Sequence, residues 1–149
     1  MAASIQYIPS KSGLNSLDLS DHFVVRLYGS QICTALDFYQ QIKSALSFPD
    51  YFGDNLDALY DCLMDLEWIP NQNVSIVLYE GDQIFEEDMD AEFLSDILIL
   101  MDDVSESWAI HDNEDIPIKN FNFYIVESNN LLNLLKGHEI EFDFISEQC

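Results

Sequence analysis

Four aspartates recur at intervals of three or four residues along one stretch of the chain: Asp54, Asp57, Asp61 and Asp65. This spacing places all four carboxylates on one face of a helix. The opposite face carries an apolar stripe with the same spacing, formed by Leu56, Leu59, Leu63 and Leu66. Either Asp54 or Asn55 can cap the helix, since a short side-chain oxygen accepts a free N–H of the first turn. The stretch therefore predicts a helix that buries leucines and exposes a row of carboxylates.

The acidic row works against the helix that carries it. Asp54 and Asp57 lie in the first turn, where the positive end of the helix dipole favours a carboxylate, but Asp61 and Asp65 gain nothing from it. Each like-charge pair four residues apart costs about 0.2–0.5 kcal/mol, and the stretch holds no lysine that would neutralise a pair. Two interpretations are open from spacing alone: a solvated acidic face, or a surface that binds a cation-rich partner.

The composition narrows the class of partner. The chain has 149 residues, a formal net charge of -23 and only five lysines and arginines, so it would repel nucleic acid and anionic membranes. It would attract a basic protein. Hydrophobic residues make up 48%, too many for a disordered acidic tail. We expect a single domain over residues 1–149, long enough to bury a core.

Other chemistry finds little support in the residues. The three histidines are scattered and show no metal-ligand spacing: His22, His111 and His138. The chain has no nucleophile elbow, phosphate-binding loop, dinucleotide fingerprint or EF-hand spacing. Asp57 and Asp61 are poor candidates for an acid–base pair, because nothing apolar separates their pKa values. We therefore expect no catalysis, no cofactor and no metal.

The cysteines and the first residues indicate a compartment. The cysteines are odd in number and far apart in the chain: Cys33, Cys62 and Cys149. They fit a reducing cytoplasm better than a disulfide framework. Residues 1–20 do not read as a signal peptide, and no stretch is apolar enough to span a bilayer. The expected location is the cytoplasm.

The remaining elements alternate between strands and helices. Runs of β-branched and aromatic residues predict strands at 23–28, 74–79 and 121–126, and apolar periodicity predicts helices at 34–47 and 91–107. A capping pair, Thr34 with Asp37, opens the first of these helices. Residues 80–90 could form one or two helical turns, and 108–119 an acidic loop. This alternation predicts an α/β fold with a parallel sheet.

Two extensions flank the predicted core, which runs from about 23 to 126. Residues 1–22 contain a possible short strand at 5–8. Residues 127–149 contain a leucine-rich helix that ends at Gly137, followed by a half-buried strand pattern at 140–144. These extensions could enlarge the sheet, cover an edge or supply a second contact surface.

The run from Tyr51 to Leu63 closely resembles the signature of the barstar family, the intracellular inhibitors of the ribonuclease barnase. It has an aromatic pair, a glycine, an acid, Asn-Leu-Asp-Ala-Leu, an aromatic residue and Asp-Cys-Leu. The likeness is clear from about Phe48 to Leu63, and a looser likeness in element order extends from about Phe23 to Val126. It implies a barstar-like fold: a small three-stranded parallel sheet with helices packed on it, plus the two extensions.

The resemblance also implies a site and a mechanism. In the barstar family this helix and the preceding loop fill the active site of a ribonuclease, so Asp61 would enter the phosphate-binding pocket and Asp57 would pair with further basic groups. Tyr60 would pack at the rim, where barstar carries Trp. Stacking, backbone approach and hydrogen bonds would come from Tyr51, Gly53 and Asn55. The full implied toxin-binding set is Tyr51, Phe52, Gly53, Asp54, Asn55, Asp57, Tyr60, Asp61 and Asp65.

Three positions depart from the family pattern. Phe52 lacks the hydroxyl of the usual tyrosine, Asp54 is one methylene shorter than the usual glutamate, and Asp65 replaces a glycine that ends the barstar helix. The helix is therefore expected to run longer here. Together with the extensions, these differences favour an immunity protein against a toxic ribonuclease other than barnase. We expect a 1:1 complex with a basic nuclease and otherwise a monomer, with no nucleic acid or membrane as partner.

Three alternatives stay open at this point. The first is a barstar-like inhibitor of another toxin class, such as a DNase or a deaminase. The second is an acidic nucleic-acid mimic that binds by charge alone, which predicts steep salt dependence and little sensitivity to any one aspartate. The third is an interaction module whose acidic helix is merely solvated, so that neutralising Asp57 and Asp61 would raise stability and harm nothing.

Overall fold

The fold is an α/β arrangement built on a parallel sheet, as expected. The computed structural model describes residues 5–10, 19–49, 53, 55–84, 91–109 and 119–145. The strands are β1 (Ile5–Ile8), β2 (His22–Tyr28), β3 (Asn73–Tyr79), β4 (Asn120–Val126) and β5 (Asp143–Phe144). The helices are α1 (Ala35–Leu46), α2 (Leu56–Leu63), α3 (Ala91–Ala109) and α4 (Asn129–Gly137). The strand order is β2-β3-β4-β1-β5, and every pairing is parallel.

The expectation of three strands was wrong, because both extensions add to the sheet. β1 pairs with β4 on one side and with β5 on the other. It is held there by burial: Ile5 and Ile8 are almost fully enclosed, and the Tyr7 hydroxyl accepts a hydrogen bond from the Ser128 N–H at 3.0 Å. The half-buried pattern at 140–144 forms a strand only at its last two residues, which pair with Gln6 and Tyr7.

The apolar core lies between the helices and one face of the sheet. Val74 to Leu78 of β3 are all buried, as expected for a central strand covered on both faces. A smaller apolar cluster on the other face consists of Ile8, Val77, Tyr124 and Val126, with Leu19 packed against it. β1 and β2 lie three positions apart in the strand order. Leu19, shortly before β2, lies on the face of the sheet opposite the helices.

The helix boundaries largely follow the sequence signals. α1 opens with the expected capping box, in which the Thr34 hydroxyl accepts from the Asp37 N–H and the Asp37 carboxylate accepts from the Thr34 N–H. α3 runs two residues beyond the predicted end, to Ala109. Within the acidic segment 80–90, Gly81–Gln83 form a 3₁₀ turn and 85–90 fall outside the described residues. The same holds for 110–118 of the predicted loop. None of the helices in the described parts of the chain has the length and apolar character needed to cross a bilayer.

Two side chains, Lys119 and Trp68, fix the connection from α2 to β3. The Lys119 ammonium, at the start of β4, donates to the carbonyls of Ile69 and Asn71, and burial lowers its pKa. The Trp68 indole donates to the Leu46 carbonyl at the end of α1, at 2.7 Å. The chain that follows α2 is therefore tied both to the sheet and to α1.

Candidate functional site: an acidic helix

The start of α2 is set by Asn55. Its side-chain oxygen accepts from the Ala58 N–H at 2.8 Å, and its amide nitrogen donates to the Gly53 carbonyl at 2.7 Å. Of the two caps that the sequence offers, Asn55 is therefore the one used. A Cβ at Gly53 would lie 3.1 Å from the Asn55 amide nitrogen. The absence of a side chain at Gly53 therefore leaves room for the Asn55 cap.

The leucine stripe buries one side of α2, as predicted. Leu59, Leu63 and Leu66 have no exposed surface, and Leu56 is half-buried. Cys62 lies beside the stripe and is also buried. Burial raises the pKa of its thiol, and the nearby carboxylates of Asp65 and Asp61 raise it further. A thiol in this environment is a small hydrophobic group rather than a nucleophile.

The opposite side of α2 presents its carboxylates to solvent. Asp57 and Asp61 are exposed, and Asp65 is half-buried. No lysine or arginine within the described residues lies at ion-pair distance from any of the three. The last turn of α2 also lacks a basic residue, so the charge of Asp61 is not compensated there. Asp57 and Asp61 are therefore exposed and carry uncompensated charge, on a helix whose opposite side is buried.

The expectation of a longer helix was wrong. α2 ends at Leu63, and Asp65 lies in the turn that follows. Leu66 takes the left-handed conformation with φ of 51° and is fully buried, while the Ile69 N–H donates to its carbonyl. Burying Leu66 thus turns the chain away from the helical path, although asparagine or glycine favours this conformation more. Leu66 belongs to the apolar stripe but not to the helix.

Two consecutive residues of α3 hold α2 in place. The Tyr60 hydroxyl and the Ser107 hydroxyl are 2.7 Å apart. The Trp108 indole N–H donates to the Leu63 carbonyl at 2.9 Å, and Trp108 is buried. No sequence signal identified Ser107 or Trp108 as part of the site, because both contacts join helices more than 40 residues apart in the chain.

The implied binding residues fall into two groups. The structure places six of them on α2 or at its two ends: Gly53, Asn55, Asp57, Tyr60, Asp61 and Asp65. Tyr51, Phe52 and Asp54 lie outside the described residues. Of the six, Tyr60 is half-buried and uses its hydroxyl within the protein.

A second acidic group lies on α3, at Asp102, Asp103 and Glu106, whose carboxylate oxygens lie within 4.8 Å of one another. Burial raises the pKa of Asp102, and the charges of Glu106, Asp103 and Glu141 raise it further. A carboxyl pKa raised by folding means that ionisation destabilises the folded state. The destabilisation is fully present at pH values above the pKa that Asp102 has in the folded state. It disappears below the pKa of the unfolded state, near 3.8.

Replacing Asp102 with asparagine is therefore expected to stabilise the protein at neutral pH. We expect the free energy of unfolding at pH 7 to rise by about 0.5 kcal/mol, the scale of one like-charge pair four residues apart on a helix. Urea unfolding at pH 7 and at pH 3 measures it. The gain should vanish at pH 3, where the carboxyl is protonated in both states. An equal gain at the two pH values would contradict an electrostatic cause.

Two comparisons with known proteins bear on the family of this chain. A family profile described as "Barstar (barnase inhibitor)" matches residues 22–122. That range contains α2 and the loop before it, but excludes β1, α4 and β5. A protein of Bacillus subtilis (strain 168) named "Putative ribonuclease inhibitor YrdF" is 60% identical over 25 residues. The aligned segment is 17% of this chain and 28% of that protein.

Proposed function

The chain belongs to the barstar family, and we propose that it inhibits a toxic ribonuclease by placing the acidic face of α2 in the enzyme's active site. Members of the family are inhibitors rather than enzymes, and the relative from Bacillus subtilis is named for ribonuclease inhibition. The proposal adds to this a binding surface, a mechanism and a role as an immunity protein.

One observation carries the proposed mechanism: Asp57 and Asp61 are exposed and have no ion-pair partner among the described residues, on a helix whose other side is fixed in the core. A ribonuclease active site is cationic because its substrate is a polyanion. A carboxylate that enters such a site can take the place of a substrate phosphate. Hydrogen bonds between ionised partners are short and roughly twice as strong as those between neutral groups.

In the proposed complex each part of the site has its own task. Asp61 accepts hydrogen bonds from the basic groups that bind the scissile phosphate, and Asp57 pairs with neighbouring cations. Gly53 and Asn55, with the neighbouring residues Tyr51, Phe52 and Asp54, complete the proposed contact surface. Tyr60 and Asp65 lie at the rim. The net charge of -23 attracts a basic enzyme from a distance and speeds the encounter.

Titration of ribonuclease activity tests the proposal. RNA cleavage by barnase, and by any nuclease encoded beside this gene, should be measured as the protein is added. We expect at least one of these activities to fall to zero at one equivalent of inhibitor, with an elution volume that fits a 1:1 complex. Inhibition of DNA cleavage or of deamination alone would instead identify another toxin class as the target. Binding without loss of any activity would reject inhibition.

A further inference from the structure

The short helix α2 depends on contacts from outside itself. It has eight residues, and isolated helices of that length are marginal in water. Repulsion between Asp57 and Asp61 opposes helix formation. The Asp61 carboxylate also lies in the last turn, near the negative end of the helix dipole, which opposes it further. The position of α2 must therefore be set by the elements that pack against it.

The last turn of α3 supplies the polar part of this support. The final carbonyls of a helix have no partner within it. In α2, the Leu63 carbonyl accepts the Trp108 indole N–H, which brings a positively polarised group to the negative end of the helix. One residue earlier on α3, the Ser107 hydroxyl forms a hydrogen bond with the Tyr60 hydroxyl. These two bonds fix both a side chain and the backbone of α2.

Asp61 lies between the two points of attachment, one residue after Tyr60 and two before Leu63. Its carboxylate stands about 6 Å from the helix axis, so a rotation of α2 by about 15° would move it by roughly 1.5 Å. Binding groups must be held within about 0.5 Å of their productive geometry. Small movements of α2 would thus be enough to misplace the carboxylate.

We propose that Ser107 and Trp108 position Asp61 for binding, and that the Tyr60 hydroxyl acts through this contact rather than by touching the ribonuclease. Tyr60, Ser107 and Trp108 are then positioning residues. The role in binding rests on the proposed function, whereas the role in holding α2 does not.

Hydrogen exchange in the free protein tests the holding role without any ribonuclease. Tyr60→Phe removes only the hydroxyl, and Tyr28→Phe makes the same change on β2, where Tyr28 stacks on Tyr79. In Tyr60→Phe we expect the α2 amides to exchange roughly fivefold faster relative to the β3 amides, the effect of one lost hydrogen bond. Ser107→Ala should match it, and the double variant should add nothing further. Exchange in Tyr60→Phe no faster than in Tyr28→Phe would overturn the proposal.

Dissociation from the ribonuclease that the unmodified protein inhibits tests the binding role. Tyr60→Phe should raise the dissociation rate several-fold, while Ser105→Ala, which removes a hydroxyl bonded within α3, should leave it unchanged. In an Asp61→Ala background, Tyr60→Phe should change the rate less than twofold. A full effect in that background would mean that the hydroxyl contacts the enzyme directly. If Asp61→Ala itself leaves inhibition unchanged, the proposed function fails, and the exchange experiment still decides whether α2 is held by α3.

Discussion

Replacing Asp61 with alanine is expected to weaken inhibition of the target ribonuclease roughly 10³-fold. The unmodified protein would bury this carboxylate against cationic groups in the enzyme, and removing one partner of a buried charge pair costs about 3–5 kcal/mol. Most of the loss reflects cations left unpaired in a site closed to water. The inhibition constant, measured by titrating RNA cleavage at fixed ionic strength, gives the result.

The matched control for Asp61→Ala is Asp96→Ala, which removes the same charge from an exposed position on α3. We expect it to change the inhibition constant less than threefold, because only long-range attraction is reduced. Raising the salt concentration should weaken inhibition by the unmodified protein and by both variants. The difference in inhibition constant between Asp61→Ala and the other two proteins should persist. Equal losses in the two variants would favour an acidic mimic that binds by total charge.

Replacing Ile8 with alanine is expected to cost about 2–5 kcal/mol of folding free energy. Ile8 has no exposed surface and packs against Val77, Tyr124 and Val126, so truncation leaves a cavity as well as losing apolar burial. This would remove a large part of the 5–15 kcal/mol that stabilises a typical domain. Urea unfolding followed by circular dichroism measures the change.

Ile99→Ala is the control for the strand, since Ile99 is an isoleucine that is 39% exposed on α3. It should cost clearly less than Ile8→Ala, because a partly exposed isoleucine loses less buried apolar surface and leaves no enclosed cavity. Similar losses in the two variants would show that β1 is not docked in the sheet. Ile8 lies on the face of the sheet away from α2. Under conditions in which Ile8→Ala stays folded, we therefore expect it to inhibit the ribonuclease with unchanged affinity.

The elements that carry local signals were predictable from the sequence. The capping box at Thr34 defined the start of α1, and the leucine stripe identified the buried side of α2. The central strands β3 and β4 showed as nearly continuous apolar runs, which is typical of strands covered on both faces. In each case the information lies within about ten residues of chain.

The features that were missed depend on residues distant in sequence. β1 was predicted as a short strand at 5–8, but its partners lie more than 110 residues further along the chain, so the local pattern did not predict its position in the sheet. The end of α2 was misjudged because Leu66 continues the helical spacing but adopts a positive φ once buried. The Tyr60–Ser107 contact likewise exists only after α3 packs beside α2.

A structure of this protein bound to a ribonuclease that it inhibits tests the proposed role of Asp61. We expect the Asp61 carboxylate to lie within about 2.7–2.9 Å of arginine, lysine or histidine nitrogens in the enzyme's phosphate-binding pocket. An enzyme bound through any other surface, with the carboxylates of α2 still facing solvent, would contradict it.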